Sequence, residues 1–466
     1  MASPALTLAD WRARVAYAGS PLYLGTGRQG LTFAPPQQGM LVLGPPRSGK
    51  TTSLVIPNVL LAPGAVVSTS TKPDVLAATA AERVTLGRCW LFDPSGQTTT
   101  PPGVTQLRWS PVVGCQEWDT ALRTARAMTL AARPSGYQGD QTHWTERAEA
   151  LIGPLLHAAA LHDLGMSQVS SWILSHDLQG PMDVLARSSR SRMAVDTVLG
   201  LDATEDRELS GIFSTAAGVV AAYRSDTVLD QAREPNFDPR RFPATSDTVY
   251  VCAPGRDQSL LAPLVIGLLE QIRAGAYRST AQAFDQNRRP GPPVALVLDE
   301  AANIAPLPDL PAIVSEGGSQ GLVTLACFQD LSQARSRWGP GADGFMTLFG
   351  TNVVLGGIRD MRTLDQISRL AGDVEVPHNS VTGRPFPLGR RGLSVTRSTR
   401  RQPRLPVNEV AQLRPGQSIL LTGPNRPTLL GLTPWFQTPP FLAARRSLQF
   451  PPPAAQDRII SLDRTR

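Results

Sequence analysis

The chain has 466 residues, with 45 Lys+Arg against 38 Asp+Glu for a formal net charge of +7, and a charged fraction of only 18%. At about 150 residues per domain the length suggests two or three domains, enough chain to bury a core without disulfide or metal staples. Gly (40) and Pro (42) are abundant but short of the disordered range, and no run approaches the ~18 apolar residues of a membrane-spanning helix, so wholesale disorder, a coiled coil, collagen and a multi-span membrane protein are excluded.

In chain order, Leu6–Ala16 reads as a short helix, followed up to residue 39 by Gly/Pro-rich connections. Met40–Leu43 is a short apolar strand, and a helix is expected to run from the loop behind it to about Leu60. Further strand-like runs are Ala65–Thr69, Cys89–Phe92, Thr248–Ala253, Val294–Leu298, Leu322–Phe328, Val353–Leu355 and Ser418–Leu421. Most are continuously apolar rather than alternating, as strands buried on both faces of a parallel sheet are. Helical patterns at Leu260–Arg273 and Thr363–Leu370 separate some of them, so the fold class is α/β with a mostly parallel sheet. From Cys115 to about Arg233 the strand signals stop. Helical periodicity takes over at Trp118–Leu130, His143–Leu161, Met182–Arg187 and Glu205–Tyr223. The expected organisation is a nucleotide-binding domain in two pieces, 1–114 and 236–436, interrupted by an all-α domain at 115–235 and closed by a Pro-rich tail at 437–466.

The N-terminus has no basic-led apolar block ending in a small-residue cleavage site, so a cytoplasmic chain is expected, with a peripheral place at the inner face of the membrane left open. Cys89, Cys115, Cys252 and Cys327 lie far apart without C-x-x-C spacing and read as buried thiols of a reducing compartment. His157 and His162 are five apart and do not share a helical face, which argues against a zinc pair.

Of the 45 Lys+Arg residues only Lys50 and Lys72 are lysine. Lysine is a compact charge on a flexible stem, where arginine is a rigid fork. Lys50 sits in Gly44-Pro45-Pro46-Arg47-Ser48-Gly49-Lys50-Thr51, which fits G-x-x-x-x-G-K-[ST] and is followed by Thr52. Glycines let the backbone wrap a phosphate with its N–H groups inward, the lysine reaches the β/γ oxygens, and the Thr51 hydroxyl is offered to Mg²⁺. The helix N-terminus behind the loop adds partial positive charge. ATP and Mg²⁺ are the ligands this pattern implies. Val294–Leu298 then delivers Asp299 and Glu300 to a strand's C-terminal edge, where α/β sheets bind ligands; Asp299 is the candidate metal ligand and Glu300 the group that polarises the attacking water. Gln329 ends the next strand and is either a γ-phosphate sensor or an ordinary strand-ending polar residue. Asp93 and the turn Thr71-Lys72-Pro73-Asp74 end two other strands and read as caps and turn formers. Residues 380–404 hold seven arginines and no acid; they read either as a contact for nucleic-acid phosphates or as a solvated, flexible linker. Arg187, Arg190 and Arg192 form a smaller cluster that reads as a solvated face.

On these residues the chain resembles the type IV secretion coupling proteins of the TraG/TraD group. The phosphate loop running into SLVIPNVL (Ser53–Leu60), Ser70–Asp74, LFDPSG (Leu91–Gly96), His143–Leu156 with Trp144, DEAANIAPLPDL (Asp299–Leu310) with Gly321 and Gln329, and Leu405–Leu421 carry the likeness, which covers roughly 21–435. The resemblance implies a RecA-like P-loop NTPase domain interrupted by an all-α domain associated with recognising DNA or a relaxase complex. It implies a homo-hexameric ring with ATP between neighbours, single- or double-stranded DNA near its channel, and type IV secretion components as partners. The expected function is then an ATP-dependent motor that recruits and translocates DNA or nucleoprotein, with catalytic Lys50, Glu300 and Gln329. The alternatives are a nucleotide-gated scaffold with negligible hydrolysis and a coupling ATPase for protein cargo. The chain departs from the pattern in three ways. It shows no N-terminal membrane helices, which suggests either a soluble branch or docking on a membrane-anchored partner. Thr71 stands where the family has Asp, and Gly318 stands where an arginine finger is implied, leaving Arg335, Arg337 and Arg359 as substitutes.

Overall fold

The computed structural model describes residues 6–27, 30–132, 141–253, 255–384, 392–442 and 444. Among these, fourteen strands form. In chain order they are β1 (Tyr23–Gly27), β2 (Gly30–Phe33), β3 (Met40–Leu43), β4 (Val66–Ser70), β5 (Cys89–Phe92), β6 (Val104–Gln106), β7 (Thr248–Cys252), β8 (Val294–Leu298), β9 (Leu322–Phe328), β10 (Thr351–Leu355), β11 (Asp373–Arg384), β12 (Gly392–Pro403), β13 (Gln417–Thr422) and β14 (Thr428–Gly431). Twelve of them make one sheet in the order β2-β1-β14-β13-β10-β3-β9-β8-β4-β7-β5-β6. The eight from β10 to β6 are parallel to their neighbours, and β13, β14, β1 and β2 extend the β10 edge antiparallel. MLVL in β3 and VALVL in β8 are buried at every position, because helices cover both faces of a parallel sheet and leave no solvated side for alternation to serve.

The segment before residue 39 departs from the expected run of connections. Besides the helix Leu8–Tyr17 it carries the β1–β2 hairpin. The glycines that read as loop are there for close backbone approach: a Cβ on Gly25, whose φ is +132°, would lie 2.8 Å from the Gly431 carbonyl oxygen of the paired strand β14. The linker reading of 380–404 is also corrected. β11 and β12 pair antiparallel from Asp373↔Pro403 to Arg384↔Gly392. Val374 and Val376 alternate at strand period, but the polar residues and arginines that follow carry no hydrophobic alternation to mark the strands. Residues 385–391 of the arginine-rich stretch, and most of the Pro-rich tail, lie outside the described residues.

Between β6 and β7 the chain is helical: Trp118–Ala131, Gln141–Leu161, Met166–Leu174, Gln179–Ser188, Arg192–Asp202, Asp206–Val219 and Asp226–Gln231. Met166–Leu174, Arg192–Asp202 and Asp226–Gln231 lie outside the helical patterns read from the sequence. Arg187 and Arg192 pair along their own helices with Asp183 and Asp196, both at 3.5 Å, as on a solvated helix face. His157 is a buried, bonded histidine, its ring nitrogens 2.7 Å from the Cys115 carbonyl and 2.9 Å from the Ser189 hydroxyl.

The helical module is bolted to the sheet through the 28-residue helix Gln258–Asp285. By length and composition alone this helix could cross a membrane, with a mean hydropathy of 1.3, but 78% of that window is buried. A helix apolar all round is here a core helix. Its Gln271 accepts from Trp109 Nε1 at 3.0 Å and donates to the Val113 carbonyl at 3.0 Å and to Thr124 Oγ1 at 3.3 Å. One buried amide thereby ties the end of the sheet domain to the first helix of the module.

Candidate phosphate-binding site

β3 leads into the loop Gly44–Lys50, and a helical stretch from Thr51 to Leu61 leaves it. Two residues turn the loop through left-handed backbone, Arg47 at φ +63° and Gly49 at φ +94°. Gly44 is confined: its N–H donates to the Phe328 carbonyl at 3.1 Å, and a Cβ there would lie 2.8 Å from Ser48 Oγ and 3.0 Å from Leu355 Cβ. Lys50 is buried and folds back over the loop, its ammonium donating to the Gly44 carbonyl and, at 2.9 Å, to that of Pro45. Ser48 Oγ is buried with no hydrogen-bond partner. Thr52 Oγ1 donates to the Gly49 carbonyl at 3.3 Å, while Pro46 and Arg47 lie exposed on the outer side of the loop. An ammonium bonded only to carbonyls, an unpartnered hydroxyl and a helix N-terminus converge here, an arrangement that suits an anion.

The acidic pair arrives from β8. Asp299 is 6% exposed and accepts from Thr51 Oγ1 at 2.7 Å, so the residue after the lysine and the strand-end carboxylate are in direct contact across 248 positions of sequence. Burial pushes the Asp299 carboxyl up to about 6; the Thr51 hydrogen bond and the Lys50 charge pull the other way, and the Asp74 and Glu300 charges add to the rise. Glu300 adopts φ +58°, a costly conformation for a side chain with a Cβ. It is held there because Ala301 N–H donates to the Cys327 carbonyl at 3.1 Å and Asn303 N–H to the Glu300 carbonyl at 2.9 Å, with Asn303 Nδ2 3.5 Å from Glu300 Oε2.

β9 lies between β3 and β8, so Gln329 at its C-terminal end stands between the phosphate loop and the acids. Its N–H donates to Gln333 Oε1 at 2.8 Å. β4 flanks β8 on the other side. There Ser70 Oγ is 3.3 Å from Asp74 Oδ1 and accepts from Lys72 N–H at 3.3 Å, so this turn is held by its own residues, with Lys72 exposed. Asp93 is a turn former as well, accepting from the N–H groups of Ser95 at 2.9 Å and Thr98 at 2.6 Å.

Among the arginines weighed for a finger, Arg335 is engaged within its own chain, 3.3 Å from Asp343 and 2.5 Å from Asp360. Arg337 donates to the Ala131 carbonyl at 3.2 Å, and Arg359 is exposed. Gly318 admits no side chain, because its Cβ would lie 2.1 Å from the Gln37 carbonyl oxygen. Sequence reasoning did not reach Gly357, at φ +91°, whose Cβ would lie 3.0 Å from Pro45 Cγ. It seats the loop after β10 against the phosphate loop, and its only signal is the Gly356-Gly357 pair beyond an apolar run.

Comparison with known proteins agrees with this architecture. Conjugal transfer protein TraG of Escherichia coli is 24% identical over 90% of this chain and 70% of its own length, and a second TraG of the same species is 23% identical over the same shares. Among solved structures, the bacterial conjugative coupling protein TrwBdeltaN70 in an unbound form superposes with a TM-score of 0.65 at 17% identity, covering 92% of each chain. TrwB in complex with ADP and Mg²⁺ superposes with a TM-score of 0.60 at 18% identity over 85% of this chain and 86% of that one. At that identity the likeness is one of fold, an α/β RecA-like P-loop fold. The family profile described as Type IV secretory system Conjugative DNA transfer matches residues 11–457, and the chain belongs to that family.

Proposed function

We propose that this protein is a Mg-ATP-dependent coupling motor that recruits DNA or nucleoprotein and moves it during conjugative transfer. The observation that carries the reading is the 2.7 Å bond between Thr51 and Asp299 beneath the Lys50 ammonium. A hydroxyl and a carboxylate are the hard oxygen donors Mg²⁺ prefers, and the TrwB complex with ADP and Mg²⁺ supports the same ligands here. Thr51 and Asp299 would hold the ion, which supplies charge neutralisation at the β- and γ-phosphates. Gly44, Pro45, Pro46, Arg47, Ser48, Gly49 and Thr52 form the cradle, with backbone N–H groups and the free Ser48 hydroxyl facing the phosphates. Lys50 exchanges its two carbonyl partners for phosphate oxygens. Glu300 orients the attacking water and accepts its proton, and Gln329 reads the γ-phosphate between them. Residues 1–114 and 236–436 would form the nucleotide-binding domain and 115–235 the module that recognises cargo, in a ring of identical subunits that docks on a membrane-anchored partner.

ATP turnover by the purified protein, with and without single-stranded and duplex DNA, tests this. Lys50→Ala should lower turnover at least a hundredfold; turnover at the wild-type rate would rule the site out. A second reading, a nucleotide-gated scaffold with negligible hydrolysis, draws on Gly318, where no arginine fits. Robust DNA-stimulated turnover eliminates it.

A further inference from the structure

The helix Leu331–Trp338 begins two residues after Gln329, and the Gln329 N–H is bonded to Gln333 Oε1 in its first turn at 2.8 Å. Strand end and helix therefore form one piece. Asp330 caps the helix, accepting from Ser332 N–H at 2.8 Å, and Leu331 and Ala334 are fully buried. At about 1.5 Å per residue, Arg337 lies about 12 Å along this piece from Gln329. A short, capped helix with one close-packed face moves as a unit, so a displacement at Gln329 is carried to its last turn.

That last turn is bonded to two other parts of the molecule. Trp338 Nε1 donates at 2.9 Å to the carbonyl of buried Leu307, in the loop that leaves Glu300. Its ring lies edge-on to Phe328, the final residue of β9, with centroids 5.8 Å apart. The exits of β8 and β9, which carry Glu300 and Gln329, are thus joined again behind the site. Beside Trp338, Arg337 Nη2 donates at 3.2 Å to the carbonyl of Ala131, across 206 positions of sequence. Ala131 ends the first helix of the helical module, Trp118–Ala131, whose last turn holds no basic residue of its own. The carbonyls at a helix C-terminus lack internal donors and carry partial negative charge. Arg337, half-buried where burial works against its charge, brings a donor and a cation to that end. The same helix is held further back at Thr124 by Gln271. One tether thus belongs to the helix Gln258–Asp285 and another to the piece that carries Gln329.

We infer that Arg337 is a positioning residue that couples the nucleotide site to the helical module. A γ-phosphate that engages Gln329 shifts Leu331–Trp338 as a body, and Arg337 passes the shift to the end of Trp118–Ala131. The inference rests on the motor reading, with Gln329 at the γ-phosphate. Coupling between two sites is reciprocal, so cargo on the module alters nucleotide affinity through the same contact.

The test is amide hydrogen exchange over Trp118–Ala131 in the whole chain, with Mg²⁺ and either ADP or a non-hydrolysable ATP analogue. In the wild type the analogue should change exchange in the last turn of that helix by at least about threefold relative to ADP. Arg337→Met should lose this difference while binding both nucleotides within about threefold of wild-type affinity; Arg337→Lys, which keeps a cation at the helix end, should retain most of it. Gln329→Ala, at the other end of the lever and with Arg337 in place, should also abolish the difference, and it decides the matter if Arg337→Met does not fold. The inference is overturned if either variant keeps the difference, or if the nucleotide-bound wild type shows none. It is also overturned if Arg337→Met loses affinity for the analogue alone, since Arg337 would then touch the γ-phosphate. A wild-type protein that binds neither nucleotide would instead defeat the motor reading itself.

Discussion

Asp299 shows how one buried group couples stability to function. Burial disfavours its charge and pushes the carboxyl up to about 6 in the folded chain, from an ordinary 3.8. The folded state holds that proton more tightly than the unfolded state, so stability falls as pH rises from about 4 to about 6 and stays lowered above it, by up to about 3 kcal/mol. Asp299→Asn keeps an acceptor for Thr51 and removes the charge. Its thermal midpoint should match wild type near pH 4 and exceed it at pH 7.5, while Mg²⁺-dependent nucleotide affinity drops at least tenfold. A midpoint difference that is the same at both pH values would sink this account. Gly318 gives a second prediction. Gly318→Arg introduces a Cβ where the Gln37 carbonyl stands, so it should lower the midpoint by several degrees without raising ATP turnover. Higher turnover at an unchanged midpoint would show that an arginine fits there after all.

At the scale of elements, the join between the helical module and the sheet domain depends on the polar centre at Gln271 as well as on apolar packing. Gln271→Leu leaves Trp109 Nε1 buried without a partner and strips the half-buried Val113 carbonyl of its donor. An unmet buried polar group costs about 1 to 3 kcal/mol, so unfolding should be eased by roughly 2 to 4 kcal/mol in a denaturant titration. A near-neutral result would mean that water replaces the amide. The same scale shows where sequence patterns were legible. β3, β5, β7, β8 and β9 are largely apolar runs between turn signals, because both their faces are buried, and β4 is buried at every position although it ends in Ser68, Thr69 and Ser70. β1 hides its strand character behind glycines that its neighbour's backbone requires, and β14 is exposed at two of its four positions, which removes the hydrophobic signal. The helix Gln258–Asp285 shows the reverse ambiguity: its composition suits a lipid phase or a protein core, and only its neighbours decide for the core.

Across the whole molecule, the proposed catalytic edge is open. Glu300 and Gln329 are half-buried at the rim of the sheet; of the arginines weighed as fingers, Arg335 and Arg337 are bonded within the chain and Arg359 is exposed. If a neighbouring subunit completes the site, ATP turnover per molecule should rise with protein concentration over the range where light scattering shows assembly. Constant turnover across that range would mean that each chain hydrolyses alone.

The sequence by itself determined the parallel α/β class, the helical interruption and the glycine-rich turn that carries Lys50 between a strand and a helix, because these depend on local properties: runs that bury two faces, a 3.6-residue period, and glycines ahead of one of only two lysines. Tertiary structure alone decided that β9 separates β3 from β8, that Thr51 meets Asp299 across 248 positions, that Gly318 has no room for a side chain, and that Asp373–Arg384 pairs antiparallel with Gly392–Pro403. Strand order, close backbone approach and pairing register arise between segments distant in the chain, and no local window contains both partners.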